Sequence, residues 1–256
     1  MPKGTGQPVM RQRGTEAREF RADAGGGRIT TAAPAAIAAT SGRPFEPDAT
    51  GDRDDRQTRA DRVPPGQYVQ PNMPVLHYGP VPGCNPQTWD LRVYGATRAG
   101  RERRWTWDGF HALPRAEIVA DFHCVTKFTV LGITWLGVPA AEVLRAVPPS
   151  ERATHVMIWA DFGYGANLPL EVFGARDTLL ATHRDGKELN PEQGYPVRLV
   201  VPSRYGWKNV KWVRALEYMI GDRRGFWEER GYHNNADPWR EQRYSYQELP
   251  GEGPAL

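Results

Sequence analysis

The chain has 256 residues, of which 39% are hydrophobic, and its mean hydropathy is -0.62. It is long enough to build a core, but it has no apolar run near the roughly 18 residues that a membrane helix requires, so a membrane-spanning protein is excluded. The 33 Lys and Arg residues nearly balance the 30 Asp and Glu residues, which indicates no polycationic surface for nucleic acid.

Composition changes near residue 62. All nine Trp and all ten Tyr residues lie after this position, while the segment before it contains low-complexity stretches such as Gly25-Gly26-Gly27. That segment has too little apolar surface to offset the entropy of ordering. We therefore predict a disordered extension over 1–62, a folded domain over 63–246 and a flexible tail over 247–256.

Cysteine content and the amino terminus bear on the compartment. Cys84 and Cys124 are too few for a disulfide framework or a four-thiolate zinc site, and we assign no role to Cys84. Arg11 and Arg13 are not adjacent, and Pro34 interrupts the only Ala-rich run, so no export signal is recognised. These features favour a reducing compartment, and we predict a cytoplasmic protein.

From residue 63 onward, short period-two apolar runs alternate with brief helical patterns, which is typical of a mixed, β-rich α+β domain. The predicted helices cover 108–113, with Asp108 as the N-cap, and 139–147. Asp185-Gly186 predicts a hairpin turn. The predicted strands are 89–94, 118–122, 154–159, 197–201 and 212–220.

Two groups of residues have the side-chain chemistry to bind a metal or a phosphate. Cys124 follows a predicted strand, where its thiolate would be a fixed ligand for a soft redox metal, although a lone cysteine is more often a small buried hydrophobe. Lys208 and Lys211 follow Gly206, and Arg198 lies on the adjacent strand. Such a group suits a phosphate, while a solvated strand face is the alternative.

Five blocks along the chain resemble a known family. They resemble the molybdopterin-binding domain of the sulfite oxidase superfamily, and more closely its stand-alone bacterial members, which include the catalytic subunit of the methionine sulfoxide reductase. The resemblance covers about residues 70–243 and implies a molybdenum–molybdopterin cofactor (Moco), whose dithiolene supplies two further sulfurs. The blocks are 75–82, 121–126, 194–202, 205–212, and Gly225-Phe226-Trp227 followed by Gly231-Tyr232-His233.

The resemblance also implies residue roles. Cys124 would bind the metal, and Asp161 and Tyr164 would orient substrate or assist proton movement, with turn capping and core packing as the alternatives. Gln193 replaces an asparagine of the reductase branch. The implied cofactor contacts are His77, Tyr78, His123, Gln193, Arg198, Lys208, Asn209, Val210 and Lys211.

The implied activity is oxygen-atom transfer on a small molecule. Sulfite oxidases carry an arginine pair where this chain has Val125-Thr126-Lys127-Phe128, so we favour reduction of a sulfoxide or N-oxide over sulfite oxidation. No haem segment or dimerisation domain is recognised. We therefore expect a monomer that exchanges electrons with a separate partner protein and binds neither nucleic acid nor membrane.

Two alternatives stay open at this point. One is a pterin-binding module without turnover. The other is a single-stranded nucleic-acid-binding domain, in which Trp207 and Trp212 would stack on bases beside Lys208, Lys211 and Arg214. The balance of 22 basic against 21 acidic residues after position 62 disfavours a surface that follows phosphates.

Overall fold

The computed structural model describes residues 61–254, so residues 1–60 of the predicted extension lie outside the described part of the chain. At the start of the described residues, the Arg62 guanidinium pairs with Asp121. At the other end, Arg224 donates two hydrogen bonds to the Glu248 carboxylate and one to the Pro254 carbonyl at 2.9 Å, so the described part of the predicted tail 247–256 packs against the domain. Within residues 61–254, no helix has the length and apolarity needed to cross a bilayer.

One sheet is centred on a long strand, β5. This strand pairs in parallel with β1 and antiparallel with β4 and β8, while β9 and β10 both pair with β8. The strands are β1 (Tyr68–Val69), β4 (Ala116–His123), β5 (Phe128–Pro139), β8 (Leu179–Arg184), β9 (Lys187–Glu188) and β10 (Arg198–Val200).

A second sheet has the strand order β3-β2-β11-β6-β7. Its β11 pairs in parallel with β2 and antiparallel with β6. The strands are β2 (Asp90–Gly95), β3 (Arg103–Thr106), β6 (His155–Ala160), β7 (Gly165–Pro169) and β11 (Val213–Met219).

Helices in the described residues are short. They are α1 (Trp107–His111), α2 (Ala140–Ala146) and α3 (Leu170–Phe173). The predicted cap of α1 is wrong: Thr106, in extended conformation, accepts the N–H of Gly109 at 3.3 Å, and Asp108 lies inside the helix. The predicted mixed, β-rich fold is confirmed.

The hairpin of β4 and β5 lies where two groups of buried side chains meet. Residues of β5 such as Val130 and Ile133 build the core of the first sheet. Next to it is a set of aromatic residues that we call the aromatic cluster: Tyr205, Trp207, Trp227 and Tyr232. Val125, in the turn of the hairpin, packs against both groups.

A close approach at Gly206 ties this hairpin to the loop after β10. A Cβ on Gly206 would lie 2.5 Å from the ring of Phe122, so only a residue without a side chain allows the contact. Phe122 lies two residues before Cys124, and Gly206 lies five residues before Lys211. The contact therefore fixes the cysteine turn relative to residues 206–211.

We predict that Gly206→Ala lowers the free energy of unfolding by about 1–3 kcal/mol, because the added methyl displaces Phe122. Chemical denaturation measures the change. The matched control is Gly83→Ala, since a Cβ there meets nothing within 4 Å, and its stability should stay within about 0.5 kcal/mol of the parent. Equal stability of the two variants would contradict the contact.

Candidate functional site

Cys124 begins the turn that joins β4 to β5. Its N–H donates to the Phe128 carbonyl at 2.9 Å, and the Lys127 N–H donates to the Cys124 carbonyl at 3.0 Å. Its side chain is 6% exposed. The turn therefore holds the sulfur in one place at the edge of the first sheet's core.

The sulfur of Cys124 is surrounded by hydrogen-bond donors. Burial raises the pKa of the thiol, while hydrogen bonds from the Thr126 hydroxyl and from the backbone N–H groups of Thr126 and Val125 oppose the shift. The Thr126 Oγ1–Cys124 Sγ distance is 3.1 Å. Such donors stabilise the charge that remains on sulfur when a metal displaces the thiol proton.

The imidazole of His123, the residue before this cysteine, is buried and neutral. Its Nδ1 lies 3.0 Å from Thr129 Oγ1, which donates its proton to Gln67 Oε1 at 2.6 Å. Since that proton is used, Nδ1 carries the ring hydrogen and Nε2 is the acceptor. Burial lowers the pKa of His123 to about 4, so the ring adds no charge at neutral pH.

Arg198 is a buried cation without a carboxylate partner among the described residues. It is 2% exposed, its Nη1 donates to the Gln193 carbonyl at 3.1 Å, and its Nε has no acceptor. Its guanidinium lies 5.0 Å from the ring centre of Trp135. Burial, and then the charge on Arg184, lower the pKa of Arg198 to about 9, so it stays charged at neutral pH and favours a bound anion.

Lys211 places a second cation beside Arg198. Its Nζ donates to the carbonyls of Leu76 at 2.8 Å and Glu192 at 2.7 Å, which leaves one N–H for a further acceptor. Burial, and then the like charge of Arg198, lower the pKa of Lys211 to about 7. We call Arg198 and Lys211 the cation pair. Because a pKa of about 7 leaves Lys211 only partly protonated at neutral pH, an anion bound there would favour its charged form.

Gly194 passes between the members of the cation pair. Its φ is 111°, and a Cβ there would lie 3.0 Å from the Cβ atoms of both Arg198 and Lys211. Gln193 holds Arg198 through its carbonyl, while its side chain accepts the N–H of Asn190 at 3.2 Å. The structure thus brings three predicted residues together, and Gln193 takes part through its backbone.

Lys208, by contrast, is committed within the protein. Its Nζ lies 2.8 Å from both the carbonyl and the Oδ1 of Asn167 and 2.6 Å from Glu228 Oε1. Burial lowers the pKa of Lys208, and Glu228 opposes the shift. Lys208 therefore has no free N–H for the predicted cofactor contact.

Asn209 and Val210 also serve the loop itself. Asn209 Oδ1 accepts the N–H of Val201 at 2.7 Å, and its amide nitrogen reaches the carbonyl of Tyr205 at 3.3 Å. The Val210 carbonyl accepts the N–H of Leu199 at 2.7 Å. These hydrogen bonds position Lys211. The cofactor contacts of Asn209 and Val210 stay predictions.

His77 and Tyr78 connect the cation pair with the aromatic cluster. The His77 ring lies 5.9 Å from that of Trp212, the residue after Lys211. The Tyr78 ring lies 4.7 Å from Phe226 and 5.9 Å from Trp227. This segment therefore runs from the cation pair to the cluster that packs on the cysteine turn.

The two predicted substrate-side residues are hydrogen-bonded within the protein. Asp161 Oδ1 accepts from Arg214 at 3.2 Å, and its N–H donates to the Trp212 carbonyl at 3.2 Å. Burial raises the pKa of Asp161, and Arg214 opposes the shift. The Tyr164 hydroxyl donates to the Trp207 carbonyl at 2.6 Å, and burial raises the pKa of Tyr164 well above its usual value. Its proton is therefore not free for the predicted catalytic role.

The structure adds residues that sequence reasoning missed. The Tyr232 ring lies 5.0 Å from that of Trp207. Burial, then Tyr244, and then Cys124 raise the pKa of Tyr232. The block Gly231-Tyr232-His233 carries a signal for it. Gln67, whose amide reaches the Cys124 carbonyl at 3.4 Å, lies in no motif.

Among the described residues, the buried sulfur of Cys124 and the cation pair have the chemistry that a soft metal carried by an anionic organic group requires of its site. The family model of the oxidoreductase molybdopterin binding domain matches residues 78–227. The chain belongs to this family. It is a molybdopterin-binding oxidoreductase domain of the sulfite oxidase superfamily, and Moco is its cofactor.

Two relatives with curated names match much of the chain. The chain is 40% identical over 186 residues to the uncharacterized oxidoreductase YuiH of Bacillus subtilis (strain 168), which is 72% of this chain and 93% of YuiH. It is 28% identical over 195 residues to the mitochondrial sulfite oxidase of Drosophila melanogaster, which covers 65% of this chain but only 34% of that protein.

A solved structure shares the fold. The sulfane dehydrogenase SoxCD from Paracoccus pantotrophus matches with a TM-score of 0.53 and 23% identity, over 57% of this chain and 42% of that chain. At this identity the likeness shows the fold alone.

We predict that Arg198→Met has opposite effects on stability and on cofactor binding. Removing an uncompensated buried charge should raise the free energy of unfolding of the cofactor-free protein by about 1–3 kcal/mol, while the molybdenum content of the purified protein falls at least about threefold because an anion anchor is lost. Denaturation and elemental analysis measure the two effects.

The control is Arg214→Met. Arg214 is paired with Asp90 and Asp161, so its loss should lower stability by up to about 1 kcal/mol. A destabilised Arg198→Met protein that keeps its molybdenum would contradict the interpretation of the cation pair.

Proposed function

We propose that this domain reduces a neutral sulfoxide or N-oxide by oxygen-atom transfer. When bound, Moco supplies the two-electron redox change and the site that accepts the oxygen atom. In net terms, the substrate loses one oxygen atom, two electrons and two protons are consumed, and water is released.

The residues divide this work between them. Cys124 would bind the metal through its sulfur, and the cation pair of Arg198 and Lys211 would hold the pterin phosphate. His77 and Tyr78 would contact the pterin between these two points. The neutral ring of His123 would stay beside the metal ligand without adding charge.

The proposal of a neutral substrate depends on the uncharged surroundings of the Cys124 sulfur. Val125, Thr126 and Phe128 flank it, and the Lys127 side chain is exposed. Burial raises the pKa of Cys124, and hydrogen bonds from neutral donors oppose the shift. An anion such as sulfite would need a fixed cation at the reacting centre, whereas a neutral oxide does not.

We also propose the setting of the reaction. Electrons would come from a separate carrier protein, and the domain would act as a cytoplasmic monomer, a setting compatible with two free thiols in the described residues. The division into an extension over 1–62 and a folded domain over 63–246 stays a proposal, with Arg62 and Glu248 packed against the domain just outside those bounds.

Cys124→Ser tests the proposal. With reduced methyl viologen as electron donor, the parent protein should reduce dimethyl sulfoxide or trimethylamine N-oxide faster than it oxidises sulfite with ferricyanide. In the Cys124→Ser protein, the rate of substrate reduction should fall by more than the roughly 10- to 100-fold that changes in the second coordination shell cost, because the substitution removes a metal ligand. The control Cys84→Ser should keep both molybdenum and turnover.

Three results would contradict the proposal in different ways. Faster sulfite oxidation would overturn the substrate class. Stoichiometric molybdenum without turnover of either substrate would leave a pterin-binding module. Full activity in the Cys124→Ser protein would end the assignment of the metal ligand.

A further inference from the structure

The turn that carries Cys124 is tightly defined. Two backbone hydrogen bonds, at 2.9 and 3.0 Å, close it between Cys124 and Phe128. Lys127 adopts a φ of 75°, a left-handed conformation that lets the chain enter β5 immediately after the turn. The turn therefore sets the positions of Val125 and Thr126 relative to the sulfur.

Three donors oppose the rise in the pKa of the Cys124 thiol that burial causes. Two are the backbone N–H groups of Val125 and Thr126. The third is the hydroxyl of Thr126, whose Oγ1 lies 3.1 Å from Sγ. A hydroxyl has one proton to donate, and here it is directed at sulfur although Thr126 is exposed to solvent.

Only the third donor depends on a side chain. Any residue at positions 125 and 126 except proline would keep the two backbone donors, but few side chains could supply a short hydroxyl at position 126. Hydrogen bonds to a metal-bound sulfur draw charge from it and weaken its donation to the metal. The residue at position 126 therefore determines how strongly hydrogen bonding weakens the donation of charge from sulfur to the metal.

We propose that Thr126 is a positioning residue for the Cys124 sulfur, which its hydroxyl orients and partly neutralises, and that it thereby raises the reduction potential of the bound metal. This inference rests on the proposed role of Cys124 as the metal ligand. It assigns Thr126 no contact with substrate.

The first test compares Thr126→Val, which removes the hydroxyl at nearly constant shape, with Thr126→Ser, which keeps it. The midpoint potential of the molybdenum couple in the loaded full-length protein is measured by redox titration followed by electron paramagnetic resonance. In Thr126→Val, the equilibrium constant for one-electron reduction should fall roughly three- to tenfold, which corresponds to about 30–60 mV. Thr126→Ser should stay near the parent.

A second readout needs no metal. In a Cys84→Ser background, the rate at which iodoacetamide alkylates Cys124 in cofactor-free protein reports its thiolate fraction. Thr126→Val should react several-fold more slowly than the parent, and Thr126→Ser at a similar rate. Thr126→Ala should match Thr126→Val, so the comparison survives if valine is not tolerated.

The outcomes separate this inference from the proposed function. An unchanged potential in loaded Thr126→Val, or equal shifts in Thr126→Val and Thr126→Ser, would overturn the role of the hydroxyl. If no molybdenum is found in any of the proteins, the proposed function fails while the alkylation rates still decide whether Thr126 acts on the sulfur. Equal alkylation rates in all variants would also overturn the inference.

Discussion

Burial of Arg198, with no carboxylate partner within residues 61–254, is the constraint on which the site depends. Removing a guanidinium from water costs on the order of several kcal/mol, and one backbone carbonyl and the face of Trp135 offset only part of this cost. Lys211 adds like charge at the same place. Under the proposed function, the anionic cofactor would complete the charge balance of these two residues.

The sulfur and the cation pair are far apart in sequence, but the fold fixes their spacing. The ring of Phe122 against Gly206 joins the cysteine hairpin to the loop that carries Lys211. The Leu76 carbonyl, bound to Lys211, begins the segment that leads through Tyr78 to the aromatic cluster. A cofactor that needs a sulfur ligand and a phosphate anchor requires both connections to be rigid.

Part of this site could be predicted from sequence. The apolar run at 118–122 leads directly to His123 and Cys124, and that local signal was enough to place the sulfur at a strand end. Lys208 and Lys211 lie three residues apart in the same loop, and only tertiary packing decides that the first of them meets Glu228. The donation by Thr126 depends on a turn whose shape includes a positive φ at the next residue, which no sequence pattern indicates.

The central claim is that one protein sulfur completes a metal site whose other end is anchored by buried positive charge. X-ray absorption at the molybdenum edge of the loaded protein tests it most directly, because it counts the sulfur atoms bound to the metal. The account predicts three sulfur ligands, two from the pterin dithiolene and one from Cys124. A spectrum with two sulfur ligands in the active protein would contradict it.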